Sequence, residues 1–414
     1  MPPTIATDLL TPLGAYLRLR DAGRASFLLE SVEQGRLGRF SWIGVGDRLT
    51  TVAQAAATGS PMIGYLGYDA VAGYEPTVPL PDAGNGFPES QLVVADILVR
   101  FDHGAGLAEV VTGDAEEVGG RLDGGIPWRR ELRGTPGPLR RFPDQARYEA
   151  MVRQVKRHIT AGDVFQCVPS QRGERPTSAT PLEIYRVLRR VNPSPYLFLL
   201  ELDGLALVGS SPERLVAAED GIASLYPIAG TTDPSDGDVE RLLGSEKERA
   251  EHVMLVDLGR NDLSRVCLPG TVEVTRSMEV ERFSHVSHLV SEVVGTIRPG
   301  VGPLDVLAAC FPAGTVTGAP KVRAMQLISE MEGFRRGPYA GAVLYLLPDG
   351  TMDSCIALRT VVVADGVAYL QAGAGVGADS DPTSEHEECL RKLAALETAI
   401  DLAEREFAPM GVGS

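Results

Sequence analysis

Strand-like and helix-like stretches occur in separate runs along this 414-residue chain, and this grouping limits the folds open to it. Three strand patterns, LFLLEL, LALVGSSPERLVAA and SLYPIAGT, follow one another before a long helical pattern begins at SEKERAEHV. A doubly wound parallel sheet requires strands and helices to alternate regularly, whereas consecutive strands pair as antiparallel meanders. The sequence therefore predicts an α+β fold.

A Gly-, Pro- and charge-rich stretch from about residue 105 to residue 141 divides the chain. Before it, SQLVVADILVRFDH predicts one buried strand; after it, DQARYEAMVRQVKRHITAGD and PLEIYRVLRRV predict helices. The stretch itself contains RRELRGTPGPLRR, whose glycines and prolines interrupt regular structure. We therefore predict an N-terminal subdomain over residues 1–135 and a larger domain over residues 142–408.

Charge and cysteine content exclude several classes of partner. A net charge of −16 argues against nucleic acid, because phosphate binding requires a concentrated positive surface. The five cysteines are scattered, mostly in apolar surroundings, so we expect buried free thiols in a reducing compartment. MPPTIATDLL lacks a signal-peptide pattern and no apolar run reaches spanning length, so we expect a cytoplasmic protein with no membrane partner.

Residues suited to binding an anion are concentrated between Phe311 and Lys392. The turn-rich segment FPAGTVTGAP leads into the helical pattern KVRAMQLISEME, which predicts open backbone amides at a helix start. The segment resembles a phosphate loop only loosely, since Lys321 follows Pro320 instead of a glycine. We therefore expect a small anionic ligand here and not a nucleotide.

Two pairs of glutamates are spaced three residues apart in helical patterns, so each pair shares one helix face. The pairs are Glu248 with Glu251 and Glu385 with Glu388. Two such helices facing each other can hold one Mg²⁺ through carboxylate oxygens. The same spacing is common on solvated helix faces, so the pattern alone leaves both interpretations open.

Motifs of other chemistries are missing from the sequence. It contains no G-x-S-x-G, H-E-x-x-H or C-x-x-C pattern, which leaves hydrolytic and zinc chemistry without support. His288 stands in the apolar strand pattern HVSHLVSEVVG, where a core or surface histidine is more usual than a catalytic one. The residues alone leave its role open.

Eight motifs follow one another along nearly the whole chain: LLES at Leu28–Ser31, NPSPY at Asn192–Tyr196, SSPERL at Ser210–Leu215, PIAGT at Pro227–Thr231, AEHVMLVDLGRNDL at Ala250–Leu263, FPAGTVTGAPKVRAM at Phe311–Met325, CIALRT at Cys355–Thr360 and AGAG at Ala372–Gly375. In this order they resemble the large subunit, component I, of anthranilate synthase, one of the chorismate-utilising enzymes. The resemblance implies that family's α+β fold, with two interlocked subdomains and large, mainly antiparallel sheets flanked by helices. It also makes the domain over residues 142–408 the chorismate-binding catalytic domain.

The resemblance implies a Mg²⁺-dependent conversion of chorismate. It places metal ligands at Glu251 and Glu388, with Glu248 and Glu385 as outer or water-mediated acids. A cation held there would bridge the ring carboxylate of chorismate and polarise the ring for loss of its hydroxyl group. The expected cofactor is therefore Mg²⁺.

The same resemblance assigns the residues around the substrate. Arg359 and Tyr339 would hold the enolpyruvyl carboxylate, and the glycines at 373 and 375 would let backbone amides approach it. His288 becomes the acid–base group for the leaving hydroxyl or the ring proton. The full set comprises the catalytic candidates His288, Thr315 and Gln166 and the substrate-binding candidates Tyr339, Arg359, Gly373, Gly375, Lys392, Gly230 and Thr231.

Two positions indicate which nucleophile attacks the ring. Gln166 stands where the water-using isochorismate and salicylate synthases have a lysine base, and an amide cannot deprotonate water. Ala229 stands where lysine-nucleophile aminodeoxychorismate synthases have a lysine, so no amine is present to attack. The resemblance therefore implies attack by ammonia, supplied by a separate glutamine amidotransferase subunit in a hetero-oligomer.

The LLES and NPSPY motifs resemble the tryptophan feedback site of the family, with Glu30, Ser31, Pro195 and Tyr196 as contacts. The segment TDPSDGD after PIAGT is acidic and short, and the region between residues 46 and 63 is compressed, which departs from the family pattern. Three functions therefore stay open. The chain makes anthranilate, or releases 2-amino-2-deoxyisochorismate with the enolpyruvyl group retained, or is a catalytically inactive regulator that binds tryptophan.

Overall fold

The computed structural model describes residues 4–31, 39–55, 58–127, 134–232, 237–282 and 287–407. Its strands are β1 (Thr4–Ala6), β2 (Ala25–Glu30), β3 (Phe40–Gly46), β4 (Arg48–Thr50), β5 (Met62–Leu66), β6 (Ser90–Val94), β7 (Ile97–Asp102), β8 (Leu107–Thr112), β9 (Arg140–Phe142), β10 (Gln166–Cys167), β11 (Ser170–Pro176), β12 (Tyr196–Glu201), β13 (Ala206–Ser211), β14 (Arg214–Glu219), β15 (Ile222–Leu225), β16 (Ile228–Thr232), β17 (Glu273–Arg282), β18 (Ser287–Thr296), β19 (Gly318–Ala319), β20 (Ala342–Leu346), β21 (Met352–Ile356), β22 (Thr360–Ala364) and β23 (Val367–Gly373). Its α-helices are α1 (Pro12–Leu19), α2 (Val52–Ala55), α3 (Val71–Tyr74), α4 (Ala115–Asp123), α5 (Gln145–Thr160), α6 (Pro181–Val191), α7 (Asp238–Gly244), α8 (Glu246–Ser264), α9 (Pro303–Cys310), α10 (Lys321–Glu332) and α11 (Pro382–Glu406). Short 3₁₀ turns occupy Tyr68–Ala70 and Gly314–Val316.

The described strands form two large sheets, in which neighbouring strands pair antiparallel, and β10 pairs with β19 in a separate two-stranded sheet. Sheet A has 11 strands in the order β1-β8-β7-β3-β2-β12-β13-β22-β23-β11-β9. Sheet B has 10 strands, in the order β16-β18-β15-β14-β21-β20-β5-β6-β4 with β17 paired to β18. The predicted α+β class with large antiparallel sheets flanked by helices is therefore confirmed.

Strands from the first 135 residues lie beside strands from the rest of the chain in both sheets. In sheet A, β2 pairs with β12, so that Leu28 lies opposite Leu199. In sheet B, β5 pairs with β20, so that Gly64 lies opposite Leu344. Because neither sheet is complete without strands from both, the early and late parts of the chain are interlocked.

Apolar side chains fill the spaces between four layers. Phe27 and Phe198 of sheet A pack against Tyr65 and Val343 of sheet B in the space between the sheets. Helices α1, α4, α6 and α11 cover the other face of sheet A. The other face of sheet B is covered by helices that include α8, α9 and α10. The burial of both faces of each sheet explains why so many strands are continuously apolar instead of alternating.

Two segments that we expected to be single strands each cross from one sheet to the other. SQLVVADILVRFDH forms β6 in sheet B and β7 in sheet A, and LALVGSSPERLVAA forms β13 in sheet A and β14 in sheet B. At the first crossing the carboxylate of Asp96 accepts a hydrogen bond from the amide of Asp47. At the second, Pro212 lacks the amide hydrogen that a continuous ladder would need. A third crossing, over residues 357–359, joins β21 in sheet B to β22 in sheet A.

All five cysteines are free and buried, as the sequence predicted. Within the described ranges, none of the helices is both long enough and apolar enough to cross a membrane.

A buried arginine joins several loops on the helix side of sheet B. The guanidinium of Arg336 donates to the carboxylate of Glu332 at 2.6 and 3.0 Å. It also donates to the carbonyl oxygens of Val316 at 2.8 Å and Val168 at 2.7 Å. Both side chains of the ion pair are 1% exposed. The pair therefore fixes the 3₁₀ turn at Gly314–Val316 to the segment that precedes β11.

We expect the Arg336→Met substitution to lower the free energy of unfolding by about 3–5 kcal/mol, because Glu332 would remain buried without its partner. The matched control is Arg391→Met, which breaks a pair whose side chains are 68% and 60% exposed. That change should cost less than about 1 kcal/mol. Urea unfolding measures both values, and equal losses in the two variants would contradict this account of the network.

Candidate active site

Two of the crossings between the sheets carry candidate functional residues and are joined by backbone hydrogen bonds. Glu213 lies in the crossing from β13 to β14, and Arg359 lies in the crossing from β21 to β22. The amide of Ile356 donates to the carbonyl of Glu213 at 3.0 Å, and the amide of Ser210 donates to the carbonyl of Arg359 at 3.1 Å. The two crossings therefore hold each other in place, and they carry the two residues on which the candidate site is centred.

Arg359 is the best candidate for binding an anionic ligand. Its backbone has a φ of 46°, in the left-handed region that non-glycine residues rarely adopt. Its Nη1 atom lies 3.3 Å from Asn192 Oδ1 and 3.5 Å from Ser194 Oγ, both neutral groups. Among the residues that the structure describes, no carboxylate pairs with this guanidinium. Burial lowers the pKa of Arg359, and a desolvated cation with only neutral partners is suited to an anion.

Glu213 carries a carboxyl group that holds its proton near neutral pH. Burial raises the pKa of Glu213 to about 7, opposed by a hydrogen bond from Thr315 and the positive charge of Lys392. Thr315 Oγ1 donates to Glu213 Oε1 at 2.9 Å. A carboxyl group with this pKa suits proton donation to a leaving group. This glutamate lies in the SSPERL motif but was not predicted to be functional, because its burial depends on the sheet crossing.

The turn that carries Thr315 differs from the expected anion site. The amides of Val316 and Thr317 donate to carbonyls inside the turn, at 3.3 and 3.2 Å. Lys321 pairs with Asp262 at 2.6 Å instead of pointing toward a ligand. The expectation of open amides before α10 is therefore wrong for these residues. The turn instead presents the Thr315 hydroxyl to Glu213.

Lys392, Tyr339 and Gly373 meet at the end of β23. Lys392 Nζ donates to the carbonyl of Gly373 at 2.9 Å and pairs with Glu388 at 2.8 Å. A Cβ atom added at Gly373 would lie 3.0 Å from the hydroxyl of Tyr339 and 2.7 Å from the carbonyl of Pro169. Glycine at this position therefore lets the backbone approach the tyrosine hydroxyl closely.

Gln166 connects the AGAG segment to α8. Its Nε2 atom donates to Glu251 at 3.3 Å. A Cβ atom added at Gly375 would lie 2.6 Å from the same nitrogen. Gly373, two residues before Gly375, accepts a hydrogen bond from Lys392, and Lys392 pairs with Glu388 on α11. Glu251 and Glu388 are thus each linked to this short segment through one side chain, Gln166 and Lys392 respectively.

His288 lies on β18 beside the PIAGT segment. Its Nδ1 atom is 2.8 Å from the carbonyl oxygen of Gly230, which can only accept, so Nδ1 holds the proton. Burial is the main reason that the pKa of His288 is lowered, so the ring is neutral at pH 7 and Nε2 is the basic nitrogen. Gly230 has a φ of 63°, and an added Cβ would lie 3.1 Å from Glu248 Oε2. The backbone of Thr231 continues β16. In the acidic segment TDPSDGD that follows PIAGT, residues 233–236 lie outside the described residues.

The acidic residues fit the chemistry of Mg²⁺ without forming a complete protein cage. Glu248 and Glu251 lie on α8, and Glu385 and Glu388 lie on α11. No group of three His, Cys, Asp or Glu side chains in the described part of the chain is arranged to hold a metal ion. Magnesium takes oxygen ligands and is usually bound by one or two carboxylates together with water and substrate. The residues present are therefore consistent with a site that the substrate completes.

A separate cavity of about 200 Å³ lies between the two sheets. Glu30, Ser31, Pro195 and Tyr196, which we predicted to contact tryptophan, are among its lining residues. The carboxylate of Glu30 is held by the Tyr185 hydroxyl and by Arg189 of α6.

Arg214 and Asp353 also line this cavity and were missed from the sequence. Their side chains pair at 3.0 Å, and Arg214 Nε donates to the Tyr196 hydroxyl at 2.8 Å. The two residues come from β14 and β21, which neighbour each other only in the folded sheet. Only the position of Arg214 inside the SSPERL motif could have identified it.

Comparison with known proteins gives one consistent result. Residues 22–398 match the family of chorismate binding enzymes. The chain is 42% identical to anthranilate synthase component 1 of Thermus thermophilus over 97% of each chain. It is 40% identical to the probable anthranilate synthase component 1 of Schizosaccharomyces pombe, over 98% of this chain and 93% of that one.

A solved structure supports the same assignment. Anthranilate synthase component I of Streptococcus pneumoniae TIGR4 superposes with a TM-score of 0.79 at 33% identity, over 95% of this chain and 99% of that one. The eight motifs, the fold and these similarities agree, and the chain belongs to the family of chorismate-binding enzymes.

Proposed function

We propose that the chain is the large subunit of an anthranilate synthase, which converts chorismate and ammonia to anthranilate, pyruvate and water. The observation that carries the proposal is that Arg359, a buried guanidinium with neutral partners, and Glu213, a carboxyl group with a raised pKa, lie on two sheet crossings joined by backbone hydrogen bonds. The names of the similar proteins support the same reaction. An enzyme of this kind belongs to tryptophan biosynthesis.

The proposed orientation of the substrate follows from the positive charge of Arg359 and the negative charges of the glutamates on α8 and α11. Chorismate is a dicarboxylate, and Arg359 would bind its enolpyruvyl carboxylate in place of the neutral groups that it now contacts. Tyr339 lies next to Gly373, so its hydroxyl can add a second hydrogen bond to the same carboxylate. The ring carboxylate then faces the glutamates of α8 and α11, where Mg²⁺ would neutralise it. When bound, the ion would also polarise the ring for loss of the hydroxyl group.

Proton transfer is divided between two residues. Glu213 donates its proton to the departing ring hydroxyl, which leaves as water while ammonia attacks the ring carbon next to the carboxylate-bearing carbon. His288, a neutral ring with its proton on Nδ1, then takes the proton from the aminated carbon at Nε2, while the enolpyruvyl oxygen leaves as the enolate of pyruvate, which is protonated to pyruvate. Thr315 keeps the carboxyl group of Glu213 oriented.

The proposed nucleophile is ammonia because Gln166 and Ala229 stand at the two positions where relatives that use other nucleophiles have a lysine. Gln166 can donate to Glu251 but cannot deprotonate water. Ala229 is buried and carries only a methyl group. We propose that a separate glutamine amidotransferase subunit delivers the ammonia, and that tryptophan occupies the cavity between the sheets as an inhibitor.

Incubation of the purified chain with chorismate, ammonium and Mg²⁺ is expected to yield anthranilate, measured by its fluorescence and by mass spectrometry. Detection of the amino product with its enolpyruvyl group retained would assign the chain to 2-amino-2-deoxyisochorismate synthesis instead. Intact chorismate at high ammonium concentration, with tryptophan bound, would identify a catalytically inactive regulator and overturn the proposal.

Glu213→Gln is expected to lower kcat by a factor of about 10²–10⁴, the usual contribution of a general acid. The acid form exists below its pKa, so wild-type kcat/KM should fall as the pH rises through about 7. This alkaline limb should disappear in the variant. Glu330→Gln, at an exposed position of α10, serves as the control. A wild-type profile that is flat across neutral pH would contradict the role of Glu213.

Glu388→Gln is expected to reduce activity by about two orders of magnitude or more, because a neutral amide is a poor ligand for Mg²⁺. The side chain is 41% exposed, so the loss of its pair with Lys392 should change stability by less than about 1 kcal/mol. The neighbouring Glu387→Gln, which is 60% exposed, should retain activity. Full turnover by the Glu388 variant, or a large loss of stability, would reject the assignment.

A further inference from the structure

The buried pair of Arg336 and Glu332 takes no part in the proposed reaction, yet its contacts reach the turn that carries Thr315. Arg336 Nη1 donates to the carbonyl of Val316 at 2.8 Å. Val316 directly follows Thr315 in the 3₁₀ turn, and Thr315 Oγ1 donates to Glu213 Oε1 at 2.9 Å. One peptide unit and two hydrogen bonds therefore connect the guanidinium to the carboxyl group that we propose as the general acid.

The guanidinium of Arg336 is fixed on several sides. Its Nε and Nη2 atoms donate to the two oxygens of Glu332 at 3.0 and 2.6 Å. Nη2 also donates to the carbonyl of Val168 at 2.7 Å. The group lies 4.7 Å from the ring centroid of Tyr68 and 5.5 Å from that of Tyr339. All three nitrogens have acceptors and the side chain is 1% exposed, so a shift of the group would break buried contacts.

The carboxylate of Glu332 is anchored to sheet A. Its Oε1 atom accepts from the amide of Ser170 at 2.8 Å and from the hydroxyl of Ser170 at 2.7 Å. Gln371 Nε2 donates to Ser170 Oγ at 2.7 Å. Ser170 lies on β11 and Gln371 on β23, which pair within sheet A. Arg336 therefore connects the turn, which belongs to a loop between helices, to the strands of this sheet.

We propose that Arg336 is a positioning residue for proton transfer: by fixing the turn at Gly314–Val316 to sheet A, its guanidinium keeps the Thr315 hydroxyl at hydrogen-bonding distance from Glu213. The inference rests on the proposed function, in which Glu213 donates a proton to the departing ring hydroxyl. Without the bond from Thr315, the carboxyl group loses its fixed orientation. A misplacement of about 1 Å in a reacting group can lower a rate by about 10².

A lysine at position 336 separates the geometry of the guanidinium from its charge. Arg336→Lys keeps a positive charge beside Glu332, but one nitrogen cannot replace three, so the carbonyl of Val316 is expected to lose its donor. Thr315→Val removes the hydroxyl group and keeps a side chain of similar shape. If Arg336 acts through Thr315, both changes remove the same interaction. Their combined effect on kcat should then be smaller than the product of the single effects.

The pH dependence reports the same contact. Burial raises the pKa of Glu213, whereas the hydrogen bond from Thr315 and the positive charge of Lys392 on α11 lower it. When the bond is lost the pKa of Glu213 rises, and the carboxyl group keeps its proton to a higher pH. The alkaline limb of kcat/KM should therefore move to higher pH in Arg336→Lys and in Thr315→Val, and should move no further in the double variant.

The experiment measures kcat, KM and the pH dependence of kcat/KM in the wild type, the two single variants, the double variant and the control Arg175→Lys. Arg175 is also mostly buried and pairs at 2.6 Å with Asp401 and Glu404, near the C-terminal end of α11. We expect kcat to fall by about ten- to a hundredfold in Arg336→Lys and to stay within about twofold in Arg175→Lys.

Two further measurements cover a variant that does not fold and an enzyme that does not turn over. Glu332→Asp keeps both charges but shortens the carboxylate side chain, so it should move the limb in the same direction, and it decides the question if Arg336→Lys is unfolded by circular dichroism. The pKa of Glu213 is also measured without substrate, by ¹³C NMR of protein labelled at the glutamate carboxyl carbons, with Glu213→Gln identifying the signal.

Effects of Arg336→Lys and Thr315→Val that multiply in the double variant would overturn the positioning role. So would a loss of stability in Arg336→Lys and Glu332→Asp with an unchanged pKa of Glu213, because that result describes packing alone. If the wild type converts no chorismate, the proposed function fails, and the NMR titration still decides whether Arg336 acts on Glu213.

Discussion

The passage of the chain from one sheet to the other is the constraint on which the site depends. Each crossing interrupts a sheet ladder, and two crossings bond to each other instead, through the amide of Ile356 to the carbonyl of Glu213 and the amide of Ser210 to the carbonyl of Arg359. A backbone amide that leaves its sheet ladder in this buried region needs another hydrogen-bond acceptor, because burying an unpaired amide costs free energy. The hydrogen bond from the amide of Ser210 to the carbonyl of Arg359 helps to hold Arg359 in its left-handed backbone conformation.

Arg336 and Arg359 differ in their hydrogen-bond partners, and this difference indicates a structural role for one and a ligand-binding role for the other. The guanidinium of Arg336 has a buried carboxylate and two carbonyls as partners, so its hydrogen-bonding capacity is used within the protein. The guanidinium of Arg359 has only the neutral side chains of Asn192 and Ser194. A ligand carboxylate can therefore add a strong interaction at Arg359 without displacing an existing ion pair.

Local patterns in the sequence predicted the elements well but not their partners. PLEIYRVLRRV gives α6 with the expected ends, and SEKERAEHVMLVDLGRNDLSRV contains α8, since amphipathic spacing and caps are local properties. The split of SQLVVADILVRFDH and LALVGSSPERLVAA was not predicted, because both halves are apolar and only pairing with distant strands distinguishes them. The pKa of Glu213 and the pair of Arg214 with Asp353 depend on these pairings and had no local signal. The resemblance supplied Arg359, Tyr339 and the four glutamates as candidates, and their roles stay predictions.

A crystal structure of the Glu213→Gln variant with chorismate and Mg²⁺ tests the central claim most directly. The account predicts that the enolpyruvyl carboxylate lies within hydrogen-bonding distance of the Arg359 guanidinium and the Tyr339 hydroxyl. It also predicts that the ring carboxylate faces Glu251 and Glu388, with the ring hydroxyl next to residue 213. Chorismate bound elsewhere, or bound with both carboxylates away from Arg359, would contradict the account.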